Sequence, residues 1–179
     1  MKKSARDIIR LDLTRYNNEY GFLKPDFLKW QIVYRKASAY SKRSVPGLFY
    51  RIRLRRLSQK TGIQIPTKAK IGAGLRLAHN GSIIVNPDAV IGRNVNLAPG
   101  VVIGKTNRGD RAGVPRIADR VWIGANAVIV GDIRIGEDVL IAPGAYVNID
   151  VPPHSIVVGN PAVIHHRDNA TAGYINDMM

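Results

Sequence analysis

The sequence predicts an all-β solenoid, a parallel β-helix wound around one long core, with a mainly helical segment before it. Three observations predict it. Ile117, Ile123, Ile129, Ile135, Ile141 and Val147 recur every six residues. Val121, Ala127, Ile133, Val139 and Ala145 form a second apolar ladder, four positions after each of the first five. The sixes also run earlier, as Ile65, Ile71 and Leu77 and then as Val85, Ile91, Leu97 and Ile103. Neither an α-helix nor an alternating strand demands a period of six, whereas stacked coils do, because each sets equivalent side chains above the last.

Residues 1–62 form a basic, mainly helical segment. They hold sixteen Lys/Arg against four Asp/Glu, while residues 63–179 hold eleven against nine. The formal net charge of +14 therefore belongs almost wholly to the N-terminal part, and a localised field of this kind attracts an anionic partner. Pro25-Asp26 breaks the chain before the apolar stretch Phe27 to Tyr34, and Ser44-Val45-Pro46-Gly47 reads as a turn. Leu48 to Leu57 has two readings. Residues 50–55 alternate like a strand, but Tyr50, Leu54, Leu57 and Thr61 line one helical stripe and Arg and Leu favour helix, so a helix is expected. Its stripe is expected to cap the open end of the solenoid, which otherwise exposes core. Residues 48–60 also read as a surface for an anionic membrane or charged glycan. Nucleic acid is not expected, since base-stacking aromatics on a strand platform are not evident.

The β-helix is placed at 63–164. Its phase slips by two residues after Leu77 and is interrupted again from Lys105 to Arg116. That polar, basic, glycine-containing loop stands between two regular blocks of core, which makes it a functional candidate. Pro152-Pro153-His154-Ser155 turns the chain and residues 156–164 close it. The remainder, 165–179, reads as a polar and loosely ordered tail.

With no cysteine, the chain has no disulfide framework, thiol nucleophile or cysteine-based zinc site. No apolar run reaches the length of a membrane span. Met1-Lys2-Lys3 resembles the start of a signal peptide, but Arg6, Asp7, Arg10, Asp12 and Arg15 break up any apolar segment behind it. The expected location is cytoplasmic, with a peripheral position at the inner face of the membrane as an open alternative.

Residues 63–164 resemble the hexapeptide-repeat acyltransferases, most closely the serine O-acetyltransferase branch, to which capsule and exopolysaccharide O-acetyltransferases also belong. The resemblance rests on the hexads and on three local matches: Leu77 to Val85, Gly109-Asp110-Arg111 in the loop, and Pro152 to Ser155 with Gly159 to Ala162. It implies a left-handed parallel β-helix with three hexads per coil. It also implies a homotrimer with acetyl-CoA in the groove between neighbouring solenoids, and His79 as the catalytic histidine.

A neutral imidazole suits that role. A hydroxyl attacks a thioester poorly until a base removes its proton, and histidine is largely neutral at pH 7. Asn80, Arg111 and Gln64 are candidate acceptor contacts, and either the Gln64 carbonyl or a main-chain carbonyl is a candidate to orient the His79 ring. By the resemblance, acetyl-CoA contacts fall on Gly104, Lys105, Thr106, Ala125 and Pro143, with Lys105, Arg108 and Arg167 near its phosphates. Pro143 stands where the related enzymes have alanine.

The departures concern the acceptor. Gln64, Ala78 and Ala112 stand where serine acetyltransferases carry two aspartates and a histidine that serve the catalytic base and the amino acid. An ammonium left without a buried anion is costly to desolvate. The expectation is therefore an acetyl-CoA-dependent O-acetyltransferase acting on a hydroxyl of a saccharide or polysaccharide-synthesis intermediate. The alternatives are serine in an altered pocket, or a non-catalytic basic β-helix that binds membrane or polyanion. His154, His165 and His166 show no three-ligand pattern, so no metal is expected.

Overall fold

The computed structural model describes residues 4–17, 19–21 and 24–176. The Met1-Lys2-Lys3 opening lies outside them. Helices α1 (Ala5–Thr14), α2 (Asp26–Ala39) and α3 (Val45–Thr61) come first. Ser4 and Asp7 cap α1 reciprocally: Asp7 N donates to Ser4 Oγ at 3.2 Å, and Ser4 N donates to Asp7 Oδ2 at 3.1 Å. α2 starts after Pro25, where the sequence places a break. The Ser44 to Gly47 signal proves to be the start of α3 rather than a turn. Ser44 Oγ accepts from Gly47 N at 3.2 Å, and Pro46 sits in the first helical turn, where its missing N–H leaves no bond unmade. Gly62, left-handed at φ 79°, ends the helix. Among the described residues no helix is long and apolar enough to cross a membrane.

The strands form three parallel ladders. One face holds β1 (Ile63–Gln64), β4 (Ile83–Val85), β7 (Val102–Gly104), β10 (Val128–Val130) and β13 (Tyr146–Val147). A second holds β2 (Lys70–Ile71), β5 (Val90–Ile91), β8 (Arg116–Ile117) and β11 (Arg134–Ile135). The third holds β3 (Arg76–Leu77), β6 (Asn96–Leu97), β9 (Val121–Ile123), β12 (Val139–Ile141) and β14 (Ser155–Val158), closed by the antiparallel β15 (Val163–His166). The chain visits the faces in rotation, making about five coils, consistent with the left-handed β-helix. Ile103 pairs with Ile129, Ile117 with Ile135 and Ile123 with Ile141. Both apolar ladders from Ile117 to Val147 are buried throughout, so the hexads form one continuous core.

An open first coil would leave one row of backbone groups unpaired, because the other row faces the second coil. Side chains of α1, of the turn that follows it and of α2 bond to that row. Arg35 donates to Ile71 O at 2.8 Å and Gly72 O at 2.6 Å, and Arg15 donates to Gly74 O at 2.8 Å. Asp12 Oδ1 accepts from Gly74 N and Leu75 N, Gln31 Nε2 donates to Leu75 O, and Tyr16 Oη accepts from Leu77 N. Burial raises the Tyr16 hydroxyl well above its ordinary pKa, and its proton is donated to Gln31 Oε1 at 2.7 Å.

Capping is therefore performed mainly by buried polar groups of α1 and α2. The expected stripe of α3 does turn inward, with Leu54 and Thr61 buried and Tyr50 and Leu57 half-buried. Its main packing partner is α2.

The C-terminal segment differs from the loose tail expected. Ala170, Thr171 and Ile175 are buried, and the Tyr174 ring lies 5.0 Å from that of Trp122. Asn96 Nδ2 donates to Tyr174 O at 3.2 Å, so the segment climbs back to the second coil. Its polar composition concealed that Ala170, Thr171 and Ile175 are buried against the coils.

Candidate active site

The slip in the hexads is located at one corner of the first coil. Leu77 pairs with Leu97 and Ile84 with Val102, so seven residue steps in the first coil face five in the second. The surplus extrudes His79 and Asn80, both exposed, at the corner between β3 and β4. The turn is anchored behind them. Gly81 N donates to Thr61 O at 2.9 Å, Gly81 has φ 151°, and a Cβ there would lie 2.8 Å from Pro99 Cβ. Among the described residues none hydrogen-bonds the His79 ring, which leaves it free for a ligand.

Gln64 lies exposed on the neighbouring strand β1, paired with Ile84 of β4. It makes no hydrogen bond to His79. Ala125 and Pro143 occupy the same column of corners as His79, two and three coils further on. Gly124 N donates to Ile141 O and Gly144 N to Ala125 O, both at 2.8 Å. This column is built of small residues. A Cβ at Gly144 would meet nothing within 4 Å, so its outer side is open to a flat ligand.

Gly104, Lys105 and Thr106 begin the long loop at another corner, between β7 and β8. The loop is a small hairpin, closed by Thr106 N to Gly113 O at 3.0 Å and Gly113 N to Thr106 O at 2.9 Å. It folds over the coils beyond. Asp132 N donates to Arg111 O at 2.9 Å, and Arg111 Nη1 donates to Asp150 Oδ2 at 3.1 Å. Backbone donation from Arg134, with the Arg111 contact, holds the Asp150 carboxyl below the usual carboxylate range. The Arg111–Asp150 tie has no counterpart in the sequence pattern, because it joins corners of different coils and leaves no signal in spacing. Lys105 and Arg108 are exposed.

In one chain, then, the structure brings Ala125 and Pro143 into line with His79 and sets the loop with Arg111 at a different corner. Arg167 belongs to neither group. Its N–H donates to His154 O at 2.8 Å, at the corner before β14.

His154 has a structural role. Residues Gly74, Asn94, Arg120, Asp138 and His154 are the left-handed residues of successive corners, at φ 80°, 56°, 58°, 55° and 56°. Stacking sets His154 Nδ1 2.9 Å from Asp138 Oδ2. Burial would raise the Asp138 carboxyl, but hydrogen bonds from Thr171, His154 and Ala170 prevail and hold it below its ordinary value. His165 and His166 lie on β15, and the described residues contain no group of three metal-ligating side chains.

A hexapeptide coil with an extruded histidine at a corner of small residues defines the class, and similarity to known proteins agrees. Residues 115–148 match the family described as "Bacterial transferase hexapeptide (six repeats)". A serine acetyltransferase of Helicobacter pylori is 38% identical over 141 residues, covering 76% of this chain and 80% of that protein. Serine acetyltransferase 2 of Arabidopsis thaliana is 41% identical over 109 residues, covering 60% of this chain. The chain spans only 33% of that plant relative's length. The crystal structure of a Brucella abortus serine acetyltransferase in complex with coenzyme A superimposes with a TM-score of 0.77 at 28% identity, over 90% of this chain and 68% of that one.

The chain belongs to the hexapeptide-repeat acyltransferases. Within them, the relatives it matches are serine acetyltransferases.

Proposed function

We propose that this protein is an acetyl-CoA-dependent O-acetyltransferase with His79 as general base. The observation that carries the reading is His79 itself: the one interruption that costs the first coil its regularity exposes an imidazole with no structural bond of its own. The names of the relatives, and the coenzyme A complex of the Brucella abortus enzyme, support the donor.

The thioester of acetyl-CoA supplies an acyl carbon open to attack. Neutral His79 takes the proton of the acceptor hydroxyl as its oxygen bonds that carbon, and the same proton is then available to the departing thiolate. We assign the donor to Ala125 and Pro143 on the His79 column and to Gly104 and Thr106 on the loop corner of a neighbouring copy, with Lys105 and Arg108 assigned to its phosphates. One chain holds His79 and the Arg111 loop on separate corners, so a site that uses both is completed by a neighbouring copy. This supports a homo-oligomer, and the resemblance to the family makes it a homotrimer.

For the acceptor we favour a neutral hydroxyl compound such as a saccharide. Gln64, Ala78 and Ala112 provide no carboxylate for an ammonium, and Arg111 is already paired with Asp150. Serine is the second reading, and it is the one the relatives' names favour; they lend no support to a saccharide. The test is release of free thiol from acetyl-CoA by purified protein across serine and a panel of sugars and sugar nucleotides. Saturable turnover of serine alone would replace the first reading by the second. Turnover undiminished in His79→Ala would remove the mechanism.

A further inference from the structure

Among the described residues nothing packs on the apolar outer face of α3, and the composition of that face is divided along the helix axis. Val45, Leu48, Phe49 and Ile52, spaced three and four apart, form one outward stripe over the first two turns and are 85%, 58%, 54% and 49% exposed. The same stripe continues into Arg56, flanked by Arg53 and Arg55, all exposed, while Lys60 beyond it pairs with Asp26 Oδ2 at 2.8 Å. Phe49, Ile52, Arg53 and Arg56 line one shallow hollow where the two halves meet. Lys42 and Arg43 lie exposed just before the helix. No Asp or Glu occurs between Asp26 and Asp88.

We propose that this face of α3 docks on the interface of an anionic phospholipid membrane. Four exposed apolar side chains with a basic surround have the composition of an interfacial helix. The apolar turns enter the acyl boundary while arginines remain among anionic headgroups. A second copy of α3 is a poor occupant, since it would bring five cations against five with no carboxylate on either helix. A polyanion in solution would use the arginines and leave the apolar stripe in water. The face also leads to the reacting end of the molecule: the last residue of α3, Thr61, accepts the hydrogen bond from Gly81 that anchors the His79 turn. At about 1.5 Å per residue, Ile52 stands roughly 14 Å along the axis from Thr61. Docking through α3 would hold the His79 corner near the membrane surface. The inference stands independently of which hydroxyl is acetylated.

The experiment is flotation of the full chain with vesicles of phosphatidylcholine, with and without phosphatidylglycerol, at low and high salt. The wild type floats with the anionic vesicles, and high salt weakens the binding. Phe49→Ser/Ile52→Ser and Arg53→Glu/Arg56→Glu each lower the partition roughly tenfold or more, with helical content unchanged because all four positions are exposed. No flotation of the wild type with anionic vesicles overturns the proposal. So does binding that Phe49→Ser/Ile52→Ser leaves intact, which would mark a charge-only surface. A fall in oligomeric mass in that variant, with no vesicle binding by the wild type, would assign the face to a second copy.

Discussion

Asp12 and Arg35 meet at 2.8 Å, both buried, and each spends its remaining capacity on the backbone of the first coil. The pair is less a salt bridge between two helices than a clamp from both helices onto the loop between β2 and β3. Removing one partner strands the other's charge. Asp12→Ala should destabilise the fold by about 3–5 kcal/mol, the range for breaking a buried pair. Asp12→Asn should cost less, since it retains an acceptor for Gly74 N. Urea unfolding of the two variants checks both the size and the order.

The corners impose a different constraint. Gly124 packs so closely against the coil above that a Cβ would lie 2.6 Å from Pro143 N, a backbone atom that cannot swing aside. Gly124→Ala should therefore cost about 1–3 kcal/mol, the scale of overpacking. Gly144→Ala, where a Cβ meets open space, would be strained only by its φ of 73°. A larger loss of melting temperature for Gly124→Ala would locate the strain in packing between coils.

The sixes made the coils legible because every ladder position points into one core, from Ile63 to Val157. His79 was legible as a break in that count, and the structure puts the break at a corner with two surplus residues. The cap was not legible. Asp12, Arg15, Gln31 and Arg35 are buried for the sake of main-chain groups 36 to 63 residues away, and no periodicity records such bonds. The docked tail was hidden for the same reason, because Asp138 holds it through the main chain of Ala170 and Thr171.

That tail should release in acid. Hydrogen bonding holds the folded Asp138 carboxyl below its unfolded value, so its contribution is complete above about pH 4, near the ordinary aspartate pKa. It is lost as pH falls through the lower folded value. Trp122, in contact with Tyr174, reports the event. A change in its fluorescence should come below about pH 4 in the wild type and be present already at neutral pH in Asp138→Ala.

The acceptor preference can be tested by restoring what the corner lacks. His79→Ala should lower kcat roughly a hundred- to ten-thousandfold, the usual worth of a positioned base, while donor binding and melting temperature hold because the ring is exposed and unbonded. Ala78→Asp precedes that base directly, and Gln64→Asp lies on the strand beside its turn. Together they would supply anions for an ammonium and for an imidazolium. If the missing carboxylates decide the acceptor, the double variant should raise kcat/KM for serine roughly tenfold or more and lower it for a neutral sugar. Steady-state thiol release with each acceptor measures both. A wild type that turns over serine as fast as the double variant would show that the ammonium is held by groups other than these.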